Sequence, residues 1–166
     1  MIRSDHTTDR GVSIALTHVL TIGITTILIA MLLVSGSTML DSQTERSAQT
    51  SLETVGERLA GDIDNVDRIA AAEDDTVTLT ADHPRSVANS GYTVELLEED
   101  DCDQGPLLDG QTDCVRLSAH DVDVTVYVPV TLDADVADDE NSVTGGSVEI
   151  SYDSEDGEIQ LTEANR

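Results

Sequence analysis

From Gly11 to Leu40 the chain carries no formally charged residue, and Ile14 to Val34 is a nearly continuous apolar run of 21 residues. Coiled as an α-helix at about 1.5 Å per residue, that run covers the roughly 30 Å hydrocarbon core of a bilayer. We therefore expect a transmembrane helix over 12–40, preceded by a polar segment, 1–11, that holds Arg3 and Arg10. The next basic residue is Arg46, so the arginine bias places the N-terminus in the cytoplasm and the bulk of the chain outside. A cleaved secretory signal competes with this reading, because Ser35 and Ser37 have the small-x-small spacing of a signal peptidase site. The apolar core of such a signal normally spans about 7–15 residues, fewer than here. No paired arginine precedes the run, against twin-arginine export, and no Cys follows it to take a lipid.

The remainder has the opposite character. The 166 residues include 34 acidic and 8 basic ones, a net charge of −26. Before residue 41, Asp5 and Asp9 balance Arg3 and Arg10, so the whole imbalance falls on 41–166. Every basic residue is Arg; Lys, Trp and Phe are absent, and the aromatics are Tyr92, Tyr127 and Tyr152. Such a surface repels a phosphate backbone and offers no stacking platform, which argues against nucleic-acid binding. At low salt, where the Debye length is roughly 30 Å, the charges repel across the whole domain; near molar salt it falls to about 3 Å and the repulsion is screened. The composition therefore points to a halophile. A disordered acidic tail is the alternative for so charged a segment, but the acids alternate with Val, Ile and Leu in strand-like fashion.

Within the expected span, Thr17, Thr21 and Thr25 recur every four residues, near His18, Gly23 and Thr26. On a helix they form a small, weakly polar stripe that lets a neighbouring helix approach, each polar contact contributing on the order of 0.6–2 kcal/mol. Equally, each hydroxyl can donate to the carbonyl one turn back, which needs no partner. His18 is an ionisable residue at membrane depth and so a functional candidate; a neutral ring bonded to a Thr or to water near the headgroups is the plainer reading.

Ser35-Gly36-Ser37 predicts a kink or a helix boundary. Beyond it Ala48, Leu52, Val55, Leu59, Ile63, Val66 and Ile69 recur in steps of three or four, which predicts an amphipathic helix over 41–72 with one buried stripe. Arg58 with Asp62, and Asp64 with Arg68, are opposite charges four apart, while Gly56 and Gly61 each cost about 1 kcal/mol relative to Ala and suggest close approach to a sheet. From Thr76 the period becomes two. Val77, Leu79 and Ala81, Val94 and Leu96, and Val115 and Leu117 alternate with polar residues, and Val122, Val124, Val126, Val128, Val130 and Leu132 predict an eleven-residue strand. Val148, Ile150 and Tyr152 pair with Ile159 and Leu161 across Ser154-Glu155-Asp156-Gly157. We expect about six antiparallel strands in 73–166 with one apolar face, covered by the helical stripe, and Pro129 at an edge or a bulge. The fold class is thus α+β.

A core without Phe or Trp is thin for such a domain. Cys102 and Cys114 lie in a Gly, Pro and Asp-rich loop, and outside the membrane a disulfide between them adds about 2–3 kcal/mol by closing a short loop. Free thiols are the alternative; two Cys without a nearby His fall short of a zinc set. Glu98-Glu99-Asp100-Asp101 and Asp138-Asp139-Glu140 carry Ca²⁺-type ligands, but Pro106 and Thr112 stand where the twelve-residue calcium loop needs Gly and a bidentate Glu. His6, His18, His83 and His120 are scattered, and no nucleophile elbow, metalloprotease helix or phosphate loop is present in the sequence. We expect no enzyme and no cofactor.

Asp9-Arg10-Gly11, followed at once by Val12-Ser13-Ile14-Ala15-Leu16 and a long apolar helix, resembles the class III signal of type IV pilins and archaellins, especially small pilin-like proteins of halophilic archaea. In that family a membrane aspartic peptidase cuts after a small residue preceded by a basic one and leaves the helix in place. The resemblance implies processing at Arg10, Gly11 and Val12, with the cut between Gly11 and Val12. It further implies a lollipop-shaped, membrane-embedded subunit whose partners are lipid, a prepilin peptidase, the type IV assembly machinery and other pilin-like subunits. It spans residues 1 to about 72. The sequence departs from bacterial members at the fifth mature position, where Leu16 replaces a Glu. An unprocessed single-pass protein with an acidic extracellular binding domain is the second expectation.

Overall fold

A computed structural model of the chain describes residues 6–73, 75–106, 108, 110–137 and 141–164, without the side chains of 6–14, 38 and 73. One helix, α1 (His6–Glu73), precedes eight strands: β1 (Val77–Asp82), β2 (Tyr92–Leu97), β3 (Cys114–Ala119), β4 (Thr125–Pro129), β5 (Asp135–Val136), β6 (Ser142–Thr144), β7 (Ser147–Asp153) and β8 (Glu158–Glu163). The fold is α+β. By its contacts the chain divides into two units, Met1–Gln43 and Thr44–Arg166. The expected segments 41–72 and 73–166 therefore belong almost wholly to one unit.

In the first unit α1 is an exposed apolar helix. Every residue from Ala15 to Ser37 is exposed, including Leu20, Ile24, Leu28 and Met31. The helix runs on through Ser35-Gly36-Ser37, so no helix boundary falls there, contrary to that expectation. The Ser37 hydroxyl donates to the Val34 carbonyl at 2.9 Å, folding its polarity back onto the helix.

In the second unit the C-terminal part of α1 buries Ala48, Leu52, Val55, Leu59, Ile63 and Val66, as the three-four spacing requires. The stripe then continues to Ala70, while Ile69 is 48% exposed. The 3.6-residue period puts position 70, four beyond Val66, on the buried face and carries 69 off it.

The strands form two four-stranded sheets, β1-β7-β8-β5 and β4-β3-β2-β6, rather than a single sheet of about six strands. Pairing is antiparallel except that β5 runs parallel to β8. The β7–β8 hairpin has the expected facing, with Ile150 opposite Leu161 and Tyr152 opposite Ile159. The predicted eleven-residue strand contracts to the five residues of β4, although Val126 and Val130 stay buried and Thr125, Pro129 and Thr131 exposed. Alternation thus runs on past the strand ends, with one further cross-strand bond on each side, from the Ala119 N–H to the Val124 carbonyl and from the Val130 N–H to the Asp113 carbonyl. β4 is an edge strand and Pro129 its last residue, where the missing N–H costs no central ladder bond.

Both sheets and the helical stripe share one core, in which Tyr92, Leu117, Ile150, Ile159 and Leu161 are fully buried beside Leu52, Leu59 and Ile63. Gly56 allows the close approach expected of it: a Cβ there would lie 2.7 Å from Val128 Cγ2 and 2.8 Å from Leu117 Cδ1. Gly61 does not, since a Cβ there would meet nothing within 4 Å.

Candidate functional site

The residues singled out in the sequence fall in both units. Arg10, Gly11 and Val12 lie in the first turns of α1, and their side chains are outside the described set. Leu16 is 70% exposed. Thr21 donates its hydroxyl to the Thr17 carbonyl at 2.8 Å, Thr25 to the Thr21 carbonyl at 2.7 Å, and Thr26 to the Ile22 carbonyl at 2.8 Å. The Thr21, Thr25 and Thr26 donors are thus satisfied one turn back, and this part of the helix presents methyl groups and hydrocarbon. His18 is exposed on the same helix. By length and composition α1 is able to cross a membrane; its most apolar window has a mean hydropathy of 2.3 and no buried residue.

In the second unit Cys102 and Cys114 form the expected disulfide, closing a loop of sequence separation 12 with their Cα atoms 6.0 Å apart. It ties the end of a short 3-10 turn (Glu99–Asp101) to the first residue of β3. Among the described residues no group of three or more His, Cys, Asp or Glu is placed to hold a metal ion, and Asp138-Asp139-Glu140 lies outside those residues. The Asp64–Arg68 pair forms at 2.9 Å. Arg58 and Asp62 instead both act on the His83 ring, with opposite signs.

Two groups here escape a reading by periodicity alone. Asp67, only 3% exposed, accepts the backbone N–H groups of Asp133 at 3.0 Å and Ala134 at 3.1 Å, holding the loop before β5 against α1. Its place four residues after Ile63, on the buried side of the stripe, is the signal that marks it. His83 follows β1; its backbone N–H donates to the Gly146 carbonyl, while its ring Nε2 is buried without a hydrogen-bond partner. Burial holds its pKa below 6.5; Arg58 adds to that lowering, and Asp62 and Asp82 oppose it. No sequence pattern indicates this burial, which arises where the loop between β1 and β2 meets α1. In that loop Val87 and Ser90 bridge across Ala88 and Asn89, both at positive φ, as in a tight two-residue hairpin turn. Tyr92, at the start of β2, donates its hydroxyl to the Pro84 carbonyl at 2.6 Å, and burial pushes its pKa up to about 12.

These features define an α+β protein with one exposed apolar helix of membrane-spanning length and a disulfide-tied β region. The chain belongs to a family of unknown function, DUF7266, whose model matches residues 7–162. No curated protein and no solved structure matches it.

Proposed function

We propose that the protein is a membrane-anchored, pilin-like surface subunit with a structural, non-enzymatic role. It is made with the leader 1–11, cut between Gly11 and Val12 by a prepilin peptidase, and kept in the membrane by 12–40, with its acidic β region outside the cell. The observation that carries this reading is Asp9-Arg10-Gly11 immediately ahead of an apolar helix exposed from Ala15 to Ser37. An apolar surface of that size is not left in water; lipid, or equivalent helices of neighbouring subunits, cover it. Leu16 cannot supply the counter-charge that a Glu offers to a neighbouring amine, which fits a minor pilin or pseudopilus component. The net charge of −26 fits a surface that works in concentrated salt.

A second reading, an unprocessed single-pass protein with an acidic extracellular binding domain, draws on the helix beginning at His6. Asp9 to Gly11 then lie inside the helix, and a peptidase must unwind its first turns. Intact-mass spectrometry of the native protein separates the two. A chain starting at Val12, and accumulation of the precursor when Gly11 is replaced by Ile, supports processing. An intact leader supports the second reading, and a start at Thr38 indicates a conventional signal peptide.

A further inference from the structure

The loop between β1 and β2 and the face of α1 from Thr50 to Arg58 line an open cavity of about 340 Å³. Its polar lining is Thr50, Ser51, Thr54, Arg58, His83 and Ser86, over a floor that includes Val55 and Val87. No carboxylate is in this wall, in a chain with 34 acidic residues. Three other cavities among the described residues all contain one: Glu163 beside Arg85, Glu95 with Glu98 and Asp101, and Glu53 with Glu57. Arg58 is exposed and outside the two ion pairs found among the described residues, Asp64–Arg68 and Glu95–Arg116. The wall also holds the His83 ring, whose Nε2 is buried without a hydrogen-bond partner.

We propose that this cavity is a carboxylate-binding site, in which the Arg58 guanidinium and the His83 ring N–H donate to the carboxylate oxygens and the Thr50, Ser51 and Ser86 hydroxyls complete the shell, the Thr54 hydroxyl being taken by the Thr50 carbonyl. Arginine is suited to the task because its planar fork matches the two oxygens. The overall negative charge opposes any anion at low salt, but near molar salt the Debye length of about 3 Å leaves only local groups to decide. The charged groups acting on His83 are Arg58 from α1, Asp62 one turn further along α1, and Asp82 from β1. Neither Asp lines the cavity. A bound carboxylate adds to the effect of both and favours the protonated ring. The carboxylate is either a free organic anion or an Asp or Glu side chain of another protein molecule, and the chemistry of capture is the same.

The test uses the full chain in detergent micelles at constant ionic strength near 1 M, with chloride replaced stepwise by acetate. Histidine ring signals are followed by NMR, the His83 resonance being assigned by its loss in His83→Gln. A saturable shift of that resonance, with its titration midpoint moving to higher pH, is expected. In Arg58→Gln the affinity for acetate should fall about tenfold or more, the loss expected of a charge-assisted hydrogen bond. If the same shift grows with protein concentration in chloride alone, and acetate competes for it, the source is a protein carboxylate; otherwise it is the free anion. No saturable shift, or one of equal size in Arg58→Gln with an unchanged circular dichroism spectrum, overturns the proposal. The site lies within residues 50–88 and does not depend on how the leader is processed.

Discussion

Gly56 and Gly61 sit five residues apart on one helix and should respond oppositely to alanine. Open space surrounds a Cβ at Gly61, so Gly61→Ala gains about 0.5–1 kcal/mol from helix propensity and reduced unfolded-state freedom. At Gly56 the same gain is outweighed, because a Cβ 2.7 Å from Val128 forces repacking that costs about 1–3 kcal/mol. Denaturant midpoints by far-UV circular dichroism should therefore rise for the first variant and fall for the second. Asp67→Asn keeps one acceptor oxygen for two loop N–H groups and turns its amide donors toward the other; a loss of about 1–3 kcal/mol is expected in the same assay. The titratable groups have opposite signs. His83, lowered from 6.5 by burial, contributes stability that is present above 6.5 and lost as pH falls through its folded value, since the unfolded chain then binds more protons. Asp113, raised from 3.8 by burial and by Glu99 and Asp135 against opposing backbone hydrogen bonds, contributes stability present below 3.8 and lost as pH rises through its folded value. His83→Gln should accordingly flatten the part of the stability profile that falls away below about pH 6.5.

At the level of elements, the helical stripe was legible because a 3.6-residue period repeated over about five turns admits one buried face, and Ala48 to Val66 occupy it. The stripe's end was not, because Ile69 outranks Ala70 in hydrophobicity and only geometry prefers the smaller residue. Strand faces were equally readable, but strand lengths and sheet number were not. Alternation at Val122 to Leu132 records which side faces the core and is silent on where ladder partners stop. The parallel β5–β8 pairing spans only Asp135 and Val136, too short for a periodic signal. Asn141 extends that neighbourhood, its side-chain carbonyl accepting the Leu161 N–H at 3.2 Å and its backbone carbonyl the Leu96 N–H at 3.0 Å. The Cys102–Cys114 bridge closes the longest turn-rich connection between strands of the second sheet. Reducing it should lower stability by about 3 kcal/mol by the loop-entropy relation, read as the shift in unfolding midpoint with and without a thiol reductant.

For the whole molecule the decisive quantity is charge. A net −26 spread over the acidic region stores repulsion that salt relieves, so lowering the salt from about 1 M to about 10 mM should reduce the melting temperature of the full chain in detergent. A melting temperature that does not move with salt would remove the case for a salt-adapted surface. Size compounds the effect: with Tyr92 as the sole fully buried aromatic, the core is built from Val, Leu and Ile and has little reserve against that repulsion.

Local periodicity and composition determined by themselves the long apolar helix, the amphipathic stripe, the facing of the β7–β8 hairpin and the acidic character of everything beyond residue 40. Each depends on neighbours a few positions apart, and the period of a helix or strand is a property of the backbone. Only the tertiary structure decided that the strands divide into two sheets over one core, that Asp67 anchors a loop 66 residues away, and that Arg58 and His83 line one cavity. Those outcomes depend on residues distant in the chain meeting at a given depth, and packing, which no local pattern encodes, sets that depth.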